Sequence, residues 1–124
     1  MGKRCTPNML DAALAYITSK ADKAVFCSAE PTSYAEADVT YKLGETAVSA
    51  ADFYAPAAGV VSGRKLTLYE ILIQIDTPGN ANHVALLDSV GSELLYVTTC
   101  TAEDVLALQT WLVPEWSIEL RDPA

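Results

Sequence analysis

The chain has few of the residues on which metal sites, disulfide frameworks and imidazole catalysis depend. Its 124 residues include three cysteines and one histidine. Cys5, Cys27 and Cys100 are odd in number and widely separated, so they do not indicate a disulfide framework. No two of them have the spacing of a zinc site. We expect reduced thiols, with Cys27 and Cys100 as small core hydrophobes, and neither a metal ion nor a cofactor.

Positive charge is also scarce. Eight lysines and arginines stand against sixteen aspartates and glutamates, which gives a formal net charge of -8. The imbalance lies in residues 31–124, which carry four bases and thirteen acids, whereas residues 1–30 carry four bases and three acids. Because an acidic body repels phosphate, we do not expect a nucleic acid as a partner.

Long hydrophobic runs are missing although hydrophobic residues make up 51% of the chain. The longest uncharged runs, 53–63 and 77–87, have 11 residues each and contain proline and glycine. A membrane-spanning helix needs about 18 or more apolar residues. No apolar segment of the secretory type follows Lys3 and Arg4. We therefore expect no membrane partner.

The first six residues fit two interpretations. Gly2 and Thr6, beside two bases and Cys5, match the N-myristoylation pattern. Short motifs of this kind also match by chance. Thr6 followed by Pro7 is typical of a helix N-cap with proline in the first turn, which is the interpretation we favour.

The apolar pattern predicts one helix followed by short strands. Leu10, Leu14, Ile17 and Ala21 form one stripe at helical spacing, which predicts a helix over 7–22. The rest consists of short β-prone runs separated by turn residues. We predict a single domain, 1–124, with a β-rich body over 24–121. Its fold class is mainly β (α+β), with the N-terminal helix packed on an antiparallel β-sandwich or open barrel.

The body can be divided more finely. We predict strands at 24–28, 40–43, 64–75, 81–88, 93–101 and 115–121, and one helical turn at 34–38. The last strand alternates, with Trp116, Ile118 and Leu120 facing inward and Arg121 outward. Residues 102–112 fit a helical turn leading into a strand that ends at Pro114. The alanine-rich residues 47–61 are predicted to form an exposed loop, and Ser62 to start the bend that follows it.

The sequence offers little for catalysis. His83 is the sole imidazole base, and it would meet Asp88 or Cys100 only if the fold happened to bring them together. We favour a half-exposed strand histidine and expect no enzyme. An enzyme that uses His83 with Asp88 is retained as an alternative of a different class.

Five residues are candidates for contact with a partner protein. Phe53, Tyr54 and Pro56 fall in the irregular, exposed segment. Glu70 is the one acid inside an apolar strand, and Trp111 lies near a strand edge. Exposed aromatic and apolar groups favour a protein partner or self-association.

Several blocks of the sequence resemble a family of small proteins encoded by tailed bacteriophages and prophages. The first is Cys-Ser-Ala-Glu-Pro-Thr-Ser-Tyr-Ala-Glu-Ala at 27–37, followed by Tyr-Lys-Leu-Gly at 41–44. Further blocks lie at 63–65, 83–88, 94–101 and 116–123, so the resemblance runs from about Met9 to the end. The chain departs from the pattern at 45–61 and 102–110.

The resemblance implies a structural role in the virion. We expect a capsid decoration (cement) protein, made in the host cytoplasm, that binds the outer capsid surface and stabilises the head. Its partners would be the major capsid protein and copies of itself, for which a trimer is one symmetric arrangement. The alternative is a tail or fibre accessory protein that contacts a host receptor through Phe53, Tyr54 or Trp111.

Overall fold

The N-terminal helix begins at the predicted cap. The structure is a computed structural model, and it describes residues 6–60 and 63–120. Helix α1 (Pro7–Lys20) follows Thr6, whose Oγ1 accepts a hydrogen bond from the Met9 amide at 3.3 Å. The remainder of the lipidation motif, residues 1–5, lies outside the described residues. The helix-cap interpretation of Thr6 is confirmed.

The helix ends two residues earlier than predicted. Asp22 was expected to be helical, but its amide donates a hydrogen bond to the Leu87 carbonyl at 3.0 Å. Its carboxylate accepts hydrogen bonds from the Ser89 amide at 2.9 Å and the Ser89 hydroxyl at 2.6 Å. These bonds hold Asp22 in an extended link between α1 and the sheet.

The described part of the chain forms nine strands in two antiparallel sheets. Six strands, in the order β7-β6-β1-β2-β5-β8, curl into a half-barrel, and β3, β4 and β9 form a small second sheet in the order β3-β4-β9. The fold class predicted from the sequence is confirmed. The strands are β1 (Lys23–Cys27), β2 (Lys42–Ala47), β3 (Ala57–Ala58), β4 (Arg64–Leu68), β5 (Ile71–Ile75), β6 (Gly79–Asp88), β7 (Glu93–Val105), β8 (Thr110–Val113) and β9 (Trp116–Leu120).

The main hydrophobic core lies between the half-barrel, the small sheet and α1. It joins Leu14 of α1 to Ile73 of the half-barrel and Ile118 of the small sheet, all buried. A second cluster covers the other face of β1 and β6, where Val25 and Leu87 pack with residues of the loop over 28–41. Residues 24–27 of β1 and 84–87 of β6 are therefore buried on both faces, which explains why these two stretches are continuously apolar.

The predicted strand over 64–75 is wrong as a single element. It divides at Tyr69 and Glu70 into β4, which pairs with β9, and β5, which pairs with β8. The Tyr69 amide donates to the Asp52 carbonyl at 2.8 Å instead of to a neighbouring strand. The segment thus passes from one sheet to the other through a corner, as strands do where two sheets meet.

The strand predicted at 40–43 is wrong at both ends, because β2 runs from Lys42 through Gly44 to Ala47. A Cβ on Gly44 would lie 2.4 Å from the Gln74 carbonyl oxygen, so the absence of a side chain lets β2 approach β5. Glycine acts here as a close-approach residue within the strand and not as its terminator.

Residues 102–112 are strands joined by a tight turn. Strand β7 continues to Val105, and β8 ends just before Pro114, so the predicted helical turn is wrong. Leu108 in the intervening turn has φ 71°, a left-handed conformation that no helix accommodates.

The remaining local predictions agree with the structure in outline. The helical turn predicted at 34–38 is a π-helical turn, Glu36–Thr40. The exposed loop predicted over 47–61 is only partly correct, because its described residues hold a 3-10 turn, Ala50–Asp52, and strand β3, and Val48 is buried in the main core. In β9 Ile118 is buried, while Trp116 and Leu120 are half-buried. Arg121 and Ser62 lie outside the described residues.

No helix in the described ranges is long and apolar enough to cross a membrane.

Candidate functional site: an apolar cleft beside a free strand edge

A cleft of about 760 Å³ opens between β7 and the corner that joins β8 to β9. Strands β7 and β8 are the two edges of the six-stranded sheet, and both contribute to the lining. The volume lies within the range of ligand-binding clefts, roughly 300 to 1,000 Å³. We call this feature the seam cleft; its lining includes Thr98, Cys100, Glu103 and Val105 of β7, Trp111 and Val113 of β8, and Trp116 of β9.

The strand register explains which side chains enter the seam cleft. Thr98 pairs with the buried Val84, and Trp111 pairs with the buried Ile73. Because side chains alternate between the faces of a strand, partners opposite core residues also face inward. In the described part of the chain no further strand pairs with either edge, so these inward positions line an opening.

Trp116 lines the seam cleft and carries a buried hydrogen-bond donor. Its ring stacks on Tyr96, with centroids 5.8 Å apart and an interplanar angle of 25°. Its indole Nε1 is enclosed and has no hydrogen-bond partner within the described residues. A buried donor without an acceptor costs about 1 to 3 kcal/mol. By contrast, the Trp111 Nε1 donates to the Gln109 side-chain oxygen at 3.1 Å.

The electrostatics of the seam cleft favour binding over nucleophilic chemistry. Glu103 is the one charged residue among the described lining residues, and no lysine, arginine or histidine occurs among them. Burial raises the pKa of the Cys100 thiol above its usual value. A raised pKa argues against an activated nucleophile, and the half-buried Cys100 forms part of the cleft wall.

The outer edge of β7 has an uncommon composition. Within the described residues β7 pairs on one side only, with β6. Residues 94–101 carry no charge and no proline, although natural edge strands usually carry such residues to prevent further pairing. Register shifts interrupt the ladder on either side of 96–99, leaving that regular stretch as the part best suited to accept another strand.

Of the five predicted contact residues, the structure places Trp111 in the seam cleft and the other four elsewhere. Phe53 was expected on an exposed loop, which is wrong: it is 7% exposed and belongs to the main core. Its backbone forms an isolated bridge to Leu68. This bridge ties the irregular segment to β4 and turns the phenyl ring inward.

Tyr54, Pro56 and Glu70 lie at the surface of the small sheet and its corner. The Tyr54 hydroxyl donates to a Glu115 carboxylate oxygen at 2.7 Å, and this bond raises the pKa of Tyr54 to about 12. The Pro56 carbonyl accepts a hydrogen bond from Arg64 at 3.2 Å. Glu70 is exposed at the corner between β4 and β5, not inside a strand.

The structure separates the residues of the alternative catalytic pair. His83 and Asp88 are five residues apart on β6 and point to opposite faces, because neighbouring side chains alternate. His83 is half-buried, and its Nδ1 lies 2.6 Å from the Asn82 side-chain oxygen. Asp88 instead accepts hydrogen bonds from the amides of Val90 and Gly91 at 3.1 and 3.2 Å. The half-exposed strand histidine is confirmed.

The cysteines behave partly as predicted. Cys27 is fully buried, and burial raises the pKa of its thiol to about 12. Cys100 is half-buried and lines the seam cleft instead of filling the core. Within 6–60 and 63–120 no group of histidine, cysteine and carboxylate side chains is arranged to hold a metal ion.

Sequence reasoning did not identify the seam cleft. Trp116 was predicted to face inward, and Cys100 was predicted to be a core residue. The inward positions were visible in the alternation, but no local pattern shows that β7 and β8 are sheet edges that share an opening.

Comparison with protein-family models, with curated protein sequences and with solved structures found no match to this chain.

Proposed function

We propose that this chain is a structural protein of a tailed-bacteriophage virion, and specifically a capsid decoration protein. The proposal is supported mainly by the uncharged residues 94–101 of β7, which form a sheet edge without a strand partner in the described part of the chain, beside an apolar cleft. The resemblance to phage-encoded proteins supports it, since the block at 94–101 forms much of β7.

Exposed leucines provide a second line of support. Leu72 of β5 and Leu112 of β8 are cross-strand neighbours on the outer face, and they are 60% and 51% exposed. Leu106 and Leu108, in the turn before β8, are also exposed. Apolar side chains grouped at one side of a protein mark surfaces that contact another protein.

The proposed mechanism is mechanical and not catalytic. Copies bind the outer surface of the assembled shell and bridge neighbouring capsid subunits. A protein that binds only the assembled shell stabilises that state by mass action. Many copies with modest affinity then act together, and a symmetric trimer would multiply the contacts. The net charge of -8 keeps the exposed surface solvated.

One observation favours the alternative of a tail or fibre protein. Trp111 and Trp116 both line the seam cleft, and paired aromatic walls also suit a small receptor ligand. That alternative predicts few copies in each virion, located at the tail.

The copy number of the chain in purified virions tests the proposal. Quantitative mass spectrometry of the phage that encodes the chain should give a number comparable to that of the major capsid protein. Immunogold labelling should decorate the whole head. A handful of copies at the tail would support the alternative, and absence from the virion would overturn both.

A further inference from the structure

We propose that the seam cleft seats an extended segment of the major capsid protein, which pairs with the free edge of β7. The segment places an apolar side chain against Trp111 and Val105 and a lysine or arginine beside Glu103. This inference rests on the proposed function and adds the contact site and the chemistry of the bound segment.

The backbone of β7 supplies the first element of recognition. Its ladder with β6 is regular over 96–99, and the opposite edge of those residues has no strand partner in the described part of the chain. An extended peptide that adds to such an edge gains main-chain hydrogen bonds, while alternate side chains enter the neighbouring pocket.

The indole of Trp116 supplies the second element. Trp116 lines the seam cleft, and its Nε1 is buried without an acceptor in the described ranges. A backbone carbonyl of the entering segment is a suitable acceptor. Because the nitrogen is enclosed, the wall side chains must shift slightly as the segment enters, and the new hydrogen bond then removes the cost of the unpaired donor.

Charge supplies the third element and favours another protein over a second copy of this chain. Glu103 is exposed on the cleft wall, with no base among the described lining residues. Residues 31–124 carry thirteen acids and four bases, so two copies would bring like charges together. A segment with a basic residue next to an apolar one complements this wall.

Two adjacent acids on β7 provide a matched pair of variants. Glu103 lines the seam cleft, whereas Asp104 is equally acidic and exposed but points to the other face. Glu103→Lys and Asp104→Lys therefore make the same change of net charge at neighbouring positions. Trp116→Phe removes the indole N–H while it keeps an aromatic ring against Tyr96.

The experiment measures co-sedimentation of the purified chain with heads of the encoding phage that lack it. Glu103→Lys, which reverses the charge in the cleft, should weaken binding to heads about fivefold or more. Asp104→Lys should change the affinity less than about twofold. Loss of the indole donor in Trp116→Phe should weaken binding about threefold to tenfold. Circular dichroism checks that each variant is folded.

Alkylation of Cys100 gives a second readout that needs no variant. Maleimide modification, located by peptide mass spectrometry, should slow at least tenfold when the chain is bound to heads. Cys27, which is buried in the free chain, serves as the unreactive reference.

The outcomes separate the two proposals. If the wild-type chain does not bind heads, the decoration function fails and this inference fails with it. If the chain binds but Glu103→Lys and Trp116→Phe bind equally well and Cys100 stays reactive, only the seam-cleft inference is overturned. If Cys100 is already protected in the free chain and the chain is a dimer in solution, the cleft is occupied by a second copy. That result would also overturn the seam-cleft inference.

Discussion

Gly44→Ala tests the close approach of β2 to β5, on which the half-barrel depends. A Cβ at this position would lie 2.4 Å from the Gln74 carbonyl oxygen and 3.0 Å from the Ile75 Cα. Both are backbone atoms, so the new methyl group cannot be accommodated by rotating a side chain. Strand β5 must move away from β2, and its pairing with β8 must move with it.

The size of the effect follows from two opposing contributions. Forcing a methyl group into a packed site costs about 1 to 3 kcal/mol, and contact with backbone places this case at the upper end. Replacing glycine by alanine also restricts the unfolded chain, which returns about 0.4 to 1 kcal/mol. We therefore expect the free energy of unfolding to fall by about 2 kcal/mol.

Gly79→Ala is the matched control. A Cβ on Gly79 would lie 3.0 Å from Leu43 Cδ2, the end of a flexible side chain that can yield. Urea denaturation followed by circular dichroism should show a clear loss of stability for Gly44→Ala and a change below about 1 kcal/mol for Gly79→Ala. If the two variants are equally stable, β2 and β5 do not approach as described.

Two further predictions concern titration. Glu115→Gln should move the pKa of Tyr54 from about 12 back toward 10.0, because the carboxylate hydrogen bond holds the phenol protonated, as tyrosinate absorbance at alkaline pH will show. The stability that this hydrogen bond contributes is fully present below 10.0, the pKa of Tyr54 in the unfolded chain, and is lost as pH rises through the pKa of Tyr54 in the folded chain. Wild type should therefore lose this stability above pH 10.0, whereas Glu115→Gln has none of it to lose. For Glu45, burial raises the pKa but hydrogen bonds from Lys42 and Lys23 outweigh it, and the net pKa lies below 4.5. Wild type should therefore lose stability as pH falls below 4.5. Lys23→Met breaks the 2.9 Å ion pair with Glu45 and the 2.8 Å ion pair with Asp38, so acid unfolding curves should show a smaller loss of stability for this variant.

The sequence was informative wherever local chemistry decides structure. The spacing of Leu10 and Leu14 and the cap at Thr6 identified α1, because both act within one or two helical turns. The β-prone runs at 81–88 and 93–101 identified β6 and β7, which pair with each other. These elements are confirmed with shifts of a few residues at their ends.

The errors arose where distant segments decide the outcome. Nothing between Arg64 and Ile75 marks the corner at Tyr69, because both halves are β-prone and only their different partners separate them. Phe53 lies in an irregular stretch, yet its bridge to Leu68 buries it. The seam cleft depends on which strands become sheet edges, a property of the whole topology and not of any local pattern.

Electron cryomicroscopy of the virion would locate both the chain and the residues through which it binds. We expect this chain to cover the outer surface of the head and a segment of the major capsid protein to lie along residues 96–99 of β7, with a side chain against Trp111. A map that places the chain on the tail, or on the head with β7 facing solvent and the seam cleft empty, would contradict this expectation.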